Sequence, residues 1–453
     1  MGIRVADAYD VIVIGAGFAG MTTARELSQR GHSVLVVEAR DRLGGRTWVQ
    51  DDALPGRSLE MGGMWVHWFQ PHVFAETTRY GLQLVESAAA AVPETIISAV
   101  DGQIRSTPFG ELWPSMEAVI RRFYSDAHEL MQRPHEPAFW SDGVAALDGV
   151  SVQERIDQMS DLTDEDRQLL NANLSVTCSA PCRDVGIGSM LVRYSLAGWD
   201  MDLMVDTKSR YRFKDGTRSL IEAIAADSSA EVRLSTPVAT VERTEEGVTV
   251  TTRAGEVLSA ARAVVTAPLN TLGAIDFHPA LSDPKQHVIA RGHAGRGSKV
   301  WLEVRGVPSE PFFAIAPDDY LLNHIRTEEL LDDGQLIVAF GPDGAGIDAT
   351  DLDQVQREVG RLLGDVEILA AAGQDWVSDE FARGTWPMFR PGPLMEVPTA
   401  LQEPEGPLFF AGSEVANGWN GFIDGAIESG LRVSREIGAS LATRATPAVA
   451  GAK

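Results

Sequence analysis

The sequence predicts an α/β fold in which a Rossmann-like, GxGxxG-bearing domain is interleaved with an α+β domain for the substrate. Three observations carry this reading: a strand-glycine loop-helix-strand unit near the start, a second glycine pair directly after it, and a strand-to-helix segment near the far end.

Val11-Ile12-Val13-Ile14 is a continuous β-branched run, the pattern of a strand covered on both faces in a parallel sheet. Gly15, Gly17 and Gly20 follow, with Ala19 beside the last. Gly15 permits the tight turn, Gly17 lets backbone approach a pyrophosphate, and Gly20 lets the helix pack on the strand. Met21, Ala24 and Leu27 recur at helical spacing, Gly31 closes the helix, and Val34 to Val37 form the next strand. Glu38 ends that strand 18 positions after Gly20, where it would accept hydrogen bonds from a ribose and repel a 2′-phosphate. This unit establishes a dinucleotide and argues against NADP; it leaves NAD and FAD open.

The second element runs from Ala39 and Arg40 through Gly44, Gly45 and Arg46, two glycines for close backbone approach and a cation for phosphate charge. The third is Leu408-Phe409-Phe410, a buried strand ending in Ala411-Gly412-Ser413-Glu414, followed by a helix from Gly421 whose first turn holds Phe422 and Ile423. A ligand that uses an ADP grip at one end of the chain and a carboxylate and helix dipole at the other is better matched by FAD than by NAD.

Composition bounds the rest. With 39 Lys and Arg against 64 Asp and Glu, the net charge of -25 argues against nucleic acid or anionic lipid as a partner. Cys178 and Cys182 form neither a CxxC pair nor half of a zinc site, and are read as reduced structural thiols; no metal is expected. Met1 to Asp10 is polar, no run suits a membrane span, and 444–453 reads as a flexible tail, so a cytoplasmic protein is expected. The acids Glu154, Asp157, Asp161, Asp164, Glu165 and Asp166 read as one solvated helical face.

Gly62 to His72, Asp379 to Trp386 and Phe422 to Glu428 closely resemble the flavin-containing monoamine oxidase family, its fungal type above all, and the likeness runs from about residue 10 to 440. More loosely, the chain resembles the superfamily of monoamine, polyamine and bacterial nicotine oxidases. The resemblance implies that Gly62, Gly63, Met64 and Trp65 line the flavin ring, that Val238 meets the adenine half, and that Trp376 and Glu414 belong to the cofactor site. It implies that Lys299 holds a water against flavin N(5), and that Trp386 and Phe422 flank the substrate path. Where mammalian relatives attach the flavin to a cysteine, this chain has Gly384, so non-covalent FAD is expected.

The FAD domain is expected over 1–86, 208–275 and 388–443, and the substrate domain over 87–207 and 276–387, with Ser298 to Val304 and Gln335 to Phe340 as strands. The implied reaction is hydride transfer from the α-carbon of a primary aliphatic or arylalkyl amine to the flavin, giving an imine and then an aldehyde, with dioxygen reduced to hydrogen peroxide. A homodimer is expected. The alternatives are a cyclic secondary amine of nicotine type, a polyamine or an L-amino acid, the last needing an arginine clamp for which Arg193 and Arg210 are candidates. A non-catalytic FAD-binding protein is the alternative of another class.

Overall fold

A computed structural model describes residues 9–87 and 90–445; the start of the chain and the tail beyond 445, both read above from sequence, lie outside the described residues. The chain folds as two compact units, each assembled from separated segments: Met1–Gly45, Leu220–Arg291 and Val397–Lys453 in the first, Arg46–Ser219 and Gly292–Glu396 in the second. In this division residues 46–86 and 208–219 run with the second unit.

The first unit is built on an eight-stranded sheet. Its parallel block places Glu231–Arg233, Val34–Val37, Tyr9–Ile14, Val257–Val265 and Leu408–Phe410 side by side. Val11, Ile12 and Val13 are fully enclosed, as a strand with both faces covered requires. Antiparallel strands Val248–Thr252 and Val238–Arg243 extend the sheet. Helix Phe18–Gln29 follows the first strand, and Gly31, at φ 88°, turns the chain out of it. The expected far-end strand and helix are Leu408–Phe410 and Ile423–Ala445.

The second unit carries a seven-stranded sheet in the order Glu367–Gly373, Ser298–Arg305, Gly334–Gly341, His324–Leu331, Phe312–Ile315, Thr95–Val100, Gln103–Pro108. All neighbours are antiparallel except Phe312–Ile315 with Thr95–Val100. Alternation divides its residues between two faces. Val300, Leu302, Ile325, Ile337 and Ala339 take one face and pack with Val355, Val359 and Leu362 of helix Leu352–Leu363. Lys299, Phe340 and His324 are direct cross-strand partners, so they share the opposite face.

Two expectations are corrected here. The acidic stretch is not one helical face, because helices Val152–Gln158 and Asp164–Cys178 leave Asp161 in the link between them. Glu154 and Asp166 instead close capping boxes with Ser151 and Thr163, satisfying amides that a helix start leaves unpaired. The second correction concerns Arg210, which is half-exposed and held by Glu86 and Asp206, so it is a surface ion-pair residue rather than a carboxylate clamp. Cys178 and Cys182 are buried and free.

Candidate active site

The first unit contributes a backbone cradle. Gly15 has φ 108°, and a Cβ on Gly20 would run into the Gly15 carbonyl, so neither position takes a side chain. A Cβ on Gly17 would meet no protein atom within 4 Å, which leaves open space over the start of helix Phe18–Gln29. Gly45 packs against Gly17, and the Gly44 amide donates to the Ala16 carbonyl, so the two glycine segments form one surface. Room above bare backbone at a helix N-terminus fits a pyrophosphate.

Glu38 is buried at the end of its strand. Its carboxylate accepts from the Ala16 amide at 2.7 Å and the Arg40 amide at 2.8 Å. Each oxygen retains a second lone pair, the capacity a ribose diol needs. Thr236 donates to the Glu38 carbonyl and Ser235 to that of Arg40, which brings the start of strand Val238–Arg243 beside this corner. At the other end of the unit, Gly412 donates to Ser429 Oγ and Gly421 to the Ser413 carbonyl, tying Gly412 to Glu414 to the start of helix Ile423–Ala445. Phe422 sits there edge-on to Trp419, with centroids 5.2 Å apart. These donors and spaces fit the two ends of FAD.

The second unit contributes side chains. Lys299 and Trp301 alternate along Ser298–Arg305 and emerge on one face of the sheet. Lys299 Nζ donates to the carbonyls of Glu60 at 2.8 Å and Gly62 at 3.0 Å, and lies 3.1 Å from Met64 Sδ. Trp301 Nε1 donates to the same Glu60 carbonyl, and Trp376 Nε1 to that of Met61. The segment from Glu60 to Trp65 is therefore pinned by three side chains from one sheet region. Burial drives the Lys299 pKa down to about 7, Glu60 and Glu328 opposing the shift and Arg326 adding to it. Glu60 itself is pushed up by burial, against two hydrogen bonds from Thr217.

Trp386 is half-buried, its Nε1 donating to the Thr177 carbonyl at 3.1 Å. Arg46 donates to the Thr385 carbonyl at 2.7 Å, so this guanidinium steadies the chain next to Trp386. The Gly384 amide donates to the Trp376 carbonyl at 2.9 Å. The remaining candidate, Arg193, is buried and donates to the carbonyls of Ser189 and Pro387.

Sequence reading did not find the residues that share the Lys299 face of the sheet. His324 and Arg326 lie there with Phe340, and Arg326 stacks 4.4 Å over the Trp65 ring, the same indole that lies 5.2 Å from Lys299 Nζ. The signal was the alternation His324-Ile325-Arg326-Thr327, which from sequence alone describes a strand with one wet face.

Comparison with known proteins agrees with this geometry. The family model described as flavin containing amine oxidoreductase matches residues 18–438. The chain is 39% identical over 435 residues to the pseudooxynicotine dehydrogenase of a Pseudomonas species, covering 96% of this chain and 87% of that protein. It is 39% identical to the nicotine dehydrogenase of Pseudomonas putida (95% and 88% covered), and 30% identical to the (S)-6-hydroxynicotine oxidase of Paenarthrobacter nicotinovorans (93% and 97%). Among solved structures, putrescine oxidase has a similar fold, with a TM-score of 0.79 at 25% identity over 95% of this chain and 99% of that one. The chain belongs to the flavin-containing amine oxidoreductase family, it oxidises amines, and its cofactor is FAD.

Proposed function

From that membership we propose that the substrate is a secondary or cyclic amine of nicotine type, not the primary monoamine that the sequence reading put first. The observation that carries this is the agreement of three relatives, each matched over more than nine-tenths of this chain and each named for a nicotine-type substrate.

Bound FAD supplies a hydride acceptor. The chain's residues do the rest. Gly15, Gly17, Gly20, Gly44 and Gly45 offer bare backbone to the pyrophosphate, and Glu38 takes the ribose. Trp386 and Phe422 orient the amine by their ring faces and favour its neutral form. As hydride leaves the α-carbon, the nitrogen lone pair forms the C=N bond. The resulting iminium would lose a proton or meet water, and the bound flavin would return the two electrons, together with two protons, to dioxygen to give hydrogen peroxide. Lys299 Nζ, with its pKa lowered to about 7, would hold a water and relay a proton when the flavin is reoxidised. The flavin is held without a covalent bond, a reading supported by Gly384 and by the burial of both cysteines.

The test is an aerobic panel with the purified holoenzyme, following amine loss and peroxide. Cyclic and N-methylated amines bearing an aryl group are expected to give the highest kcat/KM. If primary alkylamines lead the panel, the substrate assignment is wrong. If substrate turns over with an added acceptor and yields no peroxide, the assignment of dioxygen fails while amine oxidation stands. Acid treatment should release all of the flavin from the protein; flavin retained on the denatured chain would mean a covalent link.

A further inference from the structure

The polar face of the seven-stranded sheet holds more positive charge than the reaction above uses. Arg326 stacks on Trp65, and its neighbour across the β-bulge between Thr327 and Glu329 is Glu328, 3.5 Å from Nη2. The other carboxylate oxygen of Glu328 accepts from Ser87 Oγ at 2.8 Å, so this acid is shared. Lys208 approaches from helix Met201–Ser209, and its Nζ donates to the Thr177 hydroxyl at 3.1 Å. Burial above all, and then the like charges of Arg193 and Arg326, lower the Lys208 pKa to about 8. Glu328 is thus shared by Arg326 and Lys299, while Lys208 has Arg193 and Arg326 as cationic neighbours.

Several donors of the cluster are also unmet. Nε of Arg326, Nε1 of Trp65 and both ring nitrogens of His324 are sealed from water with no hydrogen-bond partner, while Nη2 of Arg326 has the Glu328 carboxylate oxygen 3.5 Å away, itself without a hydrogen bond. Burial and the adjacent cations push His324 down to about 3, so its ring is neutral and keeps one N–H to donate. Unmet buried donors are costly, and a fold retains them where a ligand supplies the acceptor. The cluster is continuous with residues assigned to the amine and to the flavin: Thr177 contacts Lys208 through its hydroxyl and Trp386 through its carbonyl, and Trp65 lies against both Arg326 and Lys299.

We propose that Lys208, His324 and Arg326 form the subsite for the far end of the amine substrate, and that it takes a hydrogen-bond acceptor, either a pyridine-type nitrogen or carbonyl or a carboxylate, while rejecting a second ammonium group. This rests on the amine-oxidising reading and narrows its substrate class: a diamine or polyamine would place a cation among cations.

The wild-type holoenzyme tests it with N-methylalkylamines of equal chain length that end in a methyl, an ammonium, a carboxylate or a 3-pyridyl group. The better of the two acceptor-ended amines is expected to exceed the ammonium-ended one in kcat/KM by about 100-fold or more, and which of the two leads identifies the acceptor. Arg326→Met and Lys208→Met are expected to cut that ratio at least about tenfold, with Arg326→Lys restoring part of it. Equal rates for ammonium and acceptor ends, or variants that lower all four amines alike, would overturn the subsite. An amine-free 3-pyridyl ketone separates the two layers by its perturbation of the flavin spectrum. If no amine is oxidised yet this probe binds wild type and not Arg326→Met, the subsite stands and the amine-oxidising function falls. If amines are oxidised and the probe binds both equally, the subsite falls.

Discussion

The glycine cradle of the first unit and the polar sheet face of the second are built from different materials. The cradle is backbone: Gly15 and Gly20 are fixed by a positive φ and a carbonyl contact, and what they offer a ligand is N–H groups and space. The sheet face is side chain: Lys299, His324 and Arg326 project from neighbouring strands, and their properties come from burial and from one another. At Gly15 and Gly20 the backbone site tolerates no side chain. A side-chain site tolerates changes of shape better than changes of charge.

The sharpest way to break the comparison is at the cradle. Gly20→Val would drive a branched side chain into the Gly15 carbonyl, and the protein is expected to purify without flavin and with activity down at least about 1,000-fold. Retained flavin would mean that the loop is more yielding than its geometry implies. Gly17→Ala provides the control, since its Cβ meets only open space in the protein. It is expected to fold normally and to weaken FAD alone.

On the sheet face, Lys299→Met keeps the volume and removes the amine. Flavin should remain bound while turnover or reoxidation falls about 100-fold. The wild-type profile should carry an ionisation near pH 7, activity rising as Lys299 loses its proton, and the variant should lack it. Stability follows the same sign. The unfolded lysine binds its proton up to its ordinary pKa and the folded one only to about 7, so between these values the unfolded state holds more protons and stability rises with pH. That rise should be smaller in Lys299→Met, as measured by denaturant titration at pH 7 and pH 9.

Smaller effects separate support from chemistry. Trp376→Phe leaves the Met61 carbonyl without its indole donor and is expected to cost about 1–3 kcal/mol of stability. A change in KM alongside it would indicate that the Glu60 to Trp65 segment moves when unpinned. Ser151→Ala removes the capping box of helix Val152–Gln158 and is expected to cost about 1 kcal/mol with kinetics unchanged.

The same contrast explains what could be read in advance. The strand-loop-helix-strand unit was legible because each glycine answers a local steric demand, and local demands are written in consecutive residues. Ser298 to Val304 was legible as a strand by alternation. The cluster around Arg326 was not, because a polar residue on an alternating strand reads as solvent-facing until tertiary packing covers it, here with Trp65 from a segment more than two hundred residues earlier. The acidic run from Glu154 to Asp166 was misread for a related reason: charge count does not distinguish a wet face from two helix caps. The preferred amine was hidden too, since the expectation that Trp386 and Phe422 flank the substrate path says nothing of what lies beyond it.

The most direct test of the central claim is anaerobic stopped-flow mixing of the holoenzyme with an N-methylated or cyclic amine. Full bleaching of the flavin absorbance, at a rate that saturates with amine and is matched by one equivalent of imine-derived product, is the predicted result. A flavin that stays oxidised with every amine, yet is reduced by NADH or by a substrate without nitrogen, would contradict it.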